Sequence, residues 1–110
     1  MAYIPDQGDL IWLDFDPSRG KEIMKRRPAF VISKKAFNEH TKMAIVAPVT
    51  SRIRGIKLEV VLSSAMKTSG AILVFQLKAI DFMQRNALFI EKTPSMITQQ
   101  VTSIAQILVQ

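Results

Sequence analysis

Leu10-Ile11-Trp12-Leu13-Asp14-Phe15 is a short β-prone run, and Asp16-Pro17-Ser18-Arg19-Gly20 stops it at once. Proline has no N–H for a ladder and glycine accepts positive φ, so the pair reads as a strand closed by a turn. Trp12 alternates into that strand and is expected in the core. The pattern recurs downstream. Lys21-Glu22-Ile23-Met24-Lys25-Arg26 is polar and aperiodic, a loop in expectation, and Arg27-Pro28 leads into the β-prone Ala29-Phe30-Val31-Ile32-Ser33. Residues 36–41 fit one helical turn or a wide loop. Met43-Ala44-Ile45-Val46-Ala47-Pro48-Val49 is a further strand, with Pro48 implying a sheet edge or bulge. Thr50-Ser51-Arg52-Ile53-Arg54-Gly55 forms a second basic loop.

In Lys57-Leu58-Glu59-Val60-Val61-Leu62 the alternation directs Leu58, Val60 and Leu62 inward and leaves Lys57 and Glu59 in water. Gly70 opens Ala71-Ile72-Leu73-Val74-Phe75-Gln76-Leu77, the most apolar run and the expected central strand, with Phe75 expected to pack. Residues 79–85 show no decided period, and Ala87-Leu88-Phe89-Ile90 is a brief last strand. Only the C-terminus has helical spacing. Thr93 suits an N-cap and Pro94 the first helical position. Ile97, Val101, Ile104, Ala105 and Leu108 share one face, with Ser95, Gln99, Thr102 and Gln106 opposite. Short strands at roughly 10- to 15-residue spacing and one closing helix predict a mainly β protein, a small antiparallel barrel.

A chain of 110 residues fits a single domain, residues 1–110, burying roughly two-thirds of its unfolded surface. No stretch reaches the roughly 18 apolar residues of a membrane span. The N-terminus lacks the basic and apolar regions of a signal peptide, and there are no cysteines for a disulfide framework. A cytoplasmic protein without a membrane partner is expected. Charge is unevenly placed. Residues 1–18 carry Asp6, Asp9, Asp14 and Asp16 and no cation, whereas residues 19–57 set eleven Lys/Arg against Glu22 and Glu39, a net of +9. Such a block implies a polyanionic partner, nucleic acid before an acidic protein segment or a membrane surface.

Few catalytic groups are available. His40 is the sole histidine, which excludes a His pair, and no Gly-x-Ser-x-Gly elbow, Walker loop or Gly-x-Gly-x-x-Gly is present. Asp14 and Asp16 lack His or Glu companions for a metal, so neither metal nor cofactor is expected. What remains is Arg and Lys in one loop and Thr, Ser and Arg in another. That set suits RNA, which brings its own nucleophile, the 2′-hydroxyl beside each phosphate. The protein then need only align the attack and donate hydrogen bonds to the developing charge, a task for a bidentate guanidinium.

Gly8-Asp9-Leu10-Ile11-Trp12-Leu13-Asp14-Phe15-Asp16-Pro17, Gly20-Lys21-Glu22, Arg27-Pro28-Ala29, Ala36-Phe37-Asn38, Val46-Ala47-Pro48-Val49-Thr50-Ser51, Gly70…Gln76, Ala79-Ile80-Asp81 and Arg85 together resemble, in order and spacing, the MazF/PemK (Kid-like) family of toxin–antitoxin mRNA interferases. The resemblance implies an SH3-like antiparallel β-barrel with a C-terminal α-helix, working as a homodimer with an RNA groove across its interface. It implies metal-independent cleavage of single-stranded RNA and an acidic antitoxin protein as partner. Carried over, the catalytic residues are Arg27 and Thr50, with Glu22 as a loop acid. Arg19, Lys21, Lys25, Arg26, Ser51 and Arg52 are candidate RNA contacts. Gln76, offering donor and acceptor together, is suited to read a base edge.

The sequence departs from the family pattern at three positions. Ile23 stands where many members have Gln, Phe75 where many have Asp or Glu, and Leu73 where some have a catalytic Arg. Two alternatives accompany the nuclease reading: a catalytically silent RNA-binding module of the same fold, and a CcdB-like gyrase poison. The latter family works through a C-terminal Trp, whereas this chain ends Ile-Leu-Val-Gln.

Overall fold

The computed structural model describes residues 3–16 and 25–110, with Asp16 and Lys25 by their backbone alone. Within them the chain runs β1 (Asp9–Asp16), β2 (Lys25–Val31), α1 (Lys35–Thr41), β3 (Ala44–Thr50), β4 (Glu59–Val61), β5 (Ala71–Leu73), β6 (Lys78–Ile80), β7 (Leu88–Lys92) and α2 (Ser95–Val109). The pairings are antiparallel, in the order β4-β5-β3-β2-β1-β7, with β6 on β3. The fold is thus mainly β with a C-terminal helix, as expected. The ends of this path, β4 and β7, are not hydrogen-bonded to each other, so the sheet stays open rather than closing into a barrel.

The apolar runs fail to alternate because the curled sheet is buried on both faces. On one face Leu10, Phe30, Ala47, Val49 and Ile72 pack with Ile97, Val101 and Ala105 of α2. On the other, Ile11, Leu13, Ala29, Val31, Val46, Ile80 and Phe82 form a second cluster. Phe30 has no exposed surface, and truncating a side chain so buried costs about 3–5 kcal/mol.

β3 joins the two halves. On one edge it pairs with β2. On the other, residues 44–46 pair with β6 and residues 49–50 with β5. Pro48, expected at a sheet edge or bulge, sits at this change of partner, paired with Ala29 of β2 on one side and with neither β6 nor β5 on the other. The predicted long strand over residues 71–77 is interrupted opposite this change of partner. It ends at Leu73, turns through the 3-10 segment Val74–Gln76, and resumes at Lys78 as β6, which runs into the undecided stretch of residues 79–85.

Several expectations are corrected. β2 begins at Lys25, inside the predicted loop. Leu58 is exposed and Glu59 buried, the reverse of the alternation, because Glu59 Oε1 accepts the N–H groups of Arg54 and Gly55 at 3.0 and 2.6 Å. Trp12 and Phe75 are each more than a third exposed rather than core, and Leu108 lies outside the packed face of α2. The helix starts one residue later than predicted. Pro94 is its N-cap, its carbonyl accepting from Thr98 N. The Thr93 hydroxyl donates instead to the Gly8 carbonyl, tying α2 to the start of β1.

Candidate active site

β2 and β3 bring the predicted pair together. Continuing the register that sets Ala29 opposite Pro48 brings Arg27 level with Thr50 at the end of β3. Arg27, Pro28, Val49, Thr50, Ser51 and Ser69 line a cleft of about 310 Å³. Arg27 also borders an adjoining lobe of about 240 Å³ with Phe15, Pro48, Gln76 and Lys78. The arginine stands where the two lobes meet.

Thr50 is set up as a donor. Its Oγ1 accepts the Arg52 N–H at 3.1 Å, so the hydroxyl proton is free to point at an oxygen in the cleft. Behind it runs Gly70 with φ +119°, where an added Cβ would lie 2.1 Å from the Thr50 carbonyl oxygen. Only glycine permits that approach, and it fixes the back wall of the lobe.

The second lobe has a different character. Gln76, exposed at the end of the 3-10 turn, offers an amide, and Lys78 Nζ lies 5.0 Å from the centroid of the Phe15 ring. The attraction between ammonium and ring face holds the lysine beside the cleft. Sequence reading missed Lys78 and Ser69. A lone Lys after an apolar run and a Ser in a polar loop carry no local signal.

The other expected residues divide. Arg26 faces away from Arg27 and is engaged by Asp14 at 2.9 Å and by the Asn86 carbonyl at 2.8 Å. The hydrogen bond from Asn86 and then that from Arg26 hold the Asp14 carboxyl below the usual carboxylate range. The Arg52 side chain is exposed and lines neither lobe. Arg19, Lys21, Glu22 and the Lys25 side chain lie outside the described residues, as does Ile23. Leu73 is buried and gives the cleft no polar group. Among the described residues no three His, Cys, Asp or Glu side chains gather, and His40 is exposed.

A larger cavity, about 720 Å³, lies between β4 and α2, lined by Val60, Val61, Met96 and Ile104 among others. Its cation is Lys57 and it has no arginine, so the smaller cleft is the one that offers a bidentate donor for a phosphate. Residues 6–109 match the model of the PemK-like, MazF-like toxins of type II toxin–antitoxin systems. The chain belongs to this family. It is 44% identical over 85 residues to the endoribonuclease toxin MazF of Escherichia coli strain K12, covering 77% of this chain and 76% of that one. The crystal structure of MazF (Form-I) from Deinococcus radiodurans is 35% identical with a TM-score of 0.88, covering 98% of both chains. The MazE–MazF (Form-II) structure from the same organism is also similar, at 35% identity and TM-score 0.91 over 98% of this chain and 97% of that one. No described helix is long and apolar enough to cross a membrane.

Proposed function

We propose that this single-domain chain acts in the cytoplasm as a sequence-selective endoribonuclease on single-stranded RNA, arresting translation and growth by cutting messages. The observation that carries the reading is the meeting of Arg27 and Thr50 in one open cleft. The 2′-hydroxyl attacks the adjacent phosphorus, the P–O5′ bond breaks, and the ends left are a 2′,3′-cyclic phosphate and a 5′-hydroxyl. Arg27 donates to the non-bridging oxygens and Thr50 adds its free proton, both strongest as charge builds in the transition state. Glu22 is the carboxylate of the set, suited to take the 2′-hydroxyl proton, and the departing 5′-oxygen takes a proton from water. No step requires a metal.

Arg19, Lys21, Lys25, Ser51 and Arg52 are the proposed phosphate contacts and Gln76 the base reader, with Arg26 acting through Asp14 on the placement of its neighbour. The active form is a homodimer, and an acidic antitoxin is the inhibitor. Likeness to the MazE–MazF structure supports a protein antitoxin. The test is incubation of a long unstructured RNA with the protein in EDTA. Discrete cuts with cyclic phosphate ends are expected. Cleavage that EDTA abolishes and Mg²⁺ restores would overturn the metal-free scheme, and RNA bound but uncut would reduce the chain to a binding module.

A further inference from the structure

We propose that Ser69 is a further substrate contact in the Thr50 lobe, and that Glu91, outside the cleft, is the residue that positions it. This rests on the ribonuclease reading and deepens it, assigning Ser69 to the sugar–phosphate backbone beside the scissile phosphate. Ser69 belongs to the loop of residues 62–70 that joins β4 to β5 and faces Arg27, Thr50 and Ser51 across the cleft. Its hydroxyl both donates and accepts, so it can bond a phosphate oxygen or a sugar hydroxyl.

An exposed serine on a free hairpin loop would sample many positions, but this loop is fastened on both sides of Ser69. On one side, Gly70 lies against the Thr50 carbonyl and its own carbonyl accepts Leu62 N at 2.9 Å. On the other, the Thr68 N–H and hydroxyl both donate to Glu91 Oε2 at 2.8 Å, and Lys67 N donates to Oε1 at 3.1 Å. Thr68 is buried and Glu91 is held rigidly in β7. Burial raises the Glu91 carboxyl, but the Thr68 hydroxyl and the two N–H groups outweigh it and hold it below the ordinary range. All three bonds are therefore charge-assisted at neutral pH. The carboxylate reaches no substrate. It acts by fixing the residue next to Ser69.

The test combines steady-state cleavage of a single-stranded RNA, binding of its 2′-O-methyl copy by anisotropy, and thermal unfolding, all on the full chain. Ser69→Ala is expected to raise KM and weaken binding by about 3- to 10-fold, the worth of one hydrogen bond, with unfolding unchanged. Glu91→Gln and Thr68→Val are expected to produce losses of the same size, and Thr68→Ser a smaller one. Added to Ser69→Ala, neither should cost more, because both act through the same hydroxyl. Wild-type KM and affinity in Ser69→Ala would overturn the contact, and because Ser69 is exposed the variant should fold and give a reading either way. Losses that multiply in Glu91→Gln with Ser69→Ala would overturn the positioning role. RNA left uncut by the wild-type chain would instead sink the ribonuclease reading, and the binding arm would still decide Ser69.

Discussion

At the scale of single residues, Thr50 is useful because the Arg52 N–H already occupies one of its lone pairs. Its proton is left for another acceptor, in the cleft that Arg27 also lines. Arg27→Ala and Thr50→Ala should each slow RNA cleavage by about 10²-fold or more, the loss of about 3 kcal/mol from one transition-state donor. Arg27→Lys should recover only part, since an ammonium cannot give two parallel bonds. Rates near wild type in both alanine variants would mean that other residues do the chemistry. Gly70 makes a second prediction here. Gly70→Ala sets a Cβ against backbone at positive φ, so it should destabilise by about 1–3 kcal/mol in urea unfolding and depress cleavage further by moving Thr50. Gly55→Ala shares a positive φ but meets nothing within 4 Å; it should cost stability without that extra loss of rate. Arg27 and Thr50 came from the resemblance of Arg27-Pro28-Ala29 and Val46-Ala47-Pro48-Val49-Thr50-Ser51 to family segments, not from the local pattern of the chain. Ser69 and Lys78 were not legible in the sequence, since only tertiary pairing brings residues from either side of β5 to face β2.

At the scale of elements, the end of β1 is the best-braced part of the site. Arg26 and Asn86 both bond the Asp14 carboxylate, at 2.9 and 2.7 Å, while Arg85 donates to the carbonyls of Asp14 and Phe15. These bonds clamp the strand where it leaves toward the segment carrying Arg19, Lys21 and Glu22. With Asp14 and Glu91 both below their ordinary values when folded, each contributes stability above the unfolded carboxylate pKa. That stability is lost as pH falls through the folded values. Unfolding free energy should therefore be flat near neutrality and drop on the acid side of about pH 4. Asp14→Asn should start lower and fall less steeply; an acid limb as steep as that of wild type would remove Asp14 from the account. The strands themselves were legible from their turn chemistry. Glu59 was not, because its two backbone donors come from a loop whose path no periodicity encodes, and a carboxylate so occupied can turn inward. Trp12 misled for the converse reason: strand alternation alone does not guarantee a covering partner, and Trp12 belongs to neither core cluster and is more than a third exposed.

At the scale of the whole molecule, two surfaces remain open. Trp12, Leu88, Phe89, Met96, Ile107 and Val109 are exposed, Trp12 and Leu88 as directly paired residues of β1 and β7, and covering them with a second copy would favour the proposed homodimer. The second surface is electrostatic. Arg27, Lys34, Lys35, Lys42, Arg52, Arg54 and Lys57 are all exposed, so apart from Arg26, which pairs with Asp14, the described cations of the +9 block face solvent. RNA phosphates and the carboxylates of an acidic antitoxin respond to the same field, and a disordered acidic segment could lie along it while staying easy for a protease to remove. The two ligands should therefore compete. Both affinities should fall steeply with salt, the RNA slope at about −0.7 per phosphate neutralised. Arg52→Glu with Arg54→Glu should weaken both together. Arg26 is the wrong place for such a reversal, because it would also break the ion pair with Asp14. The decisive measurement is a titration of the protein, loaded with a 2′-O-methyl RNA, by the acidic segment of its antitoxin. Release of the RNA in step with binding is the expected result. A stable ternary complex, with neither ligand weakened by the other, would mean that the antitoxin silences the enzyme from a separate face.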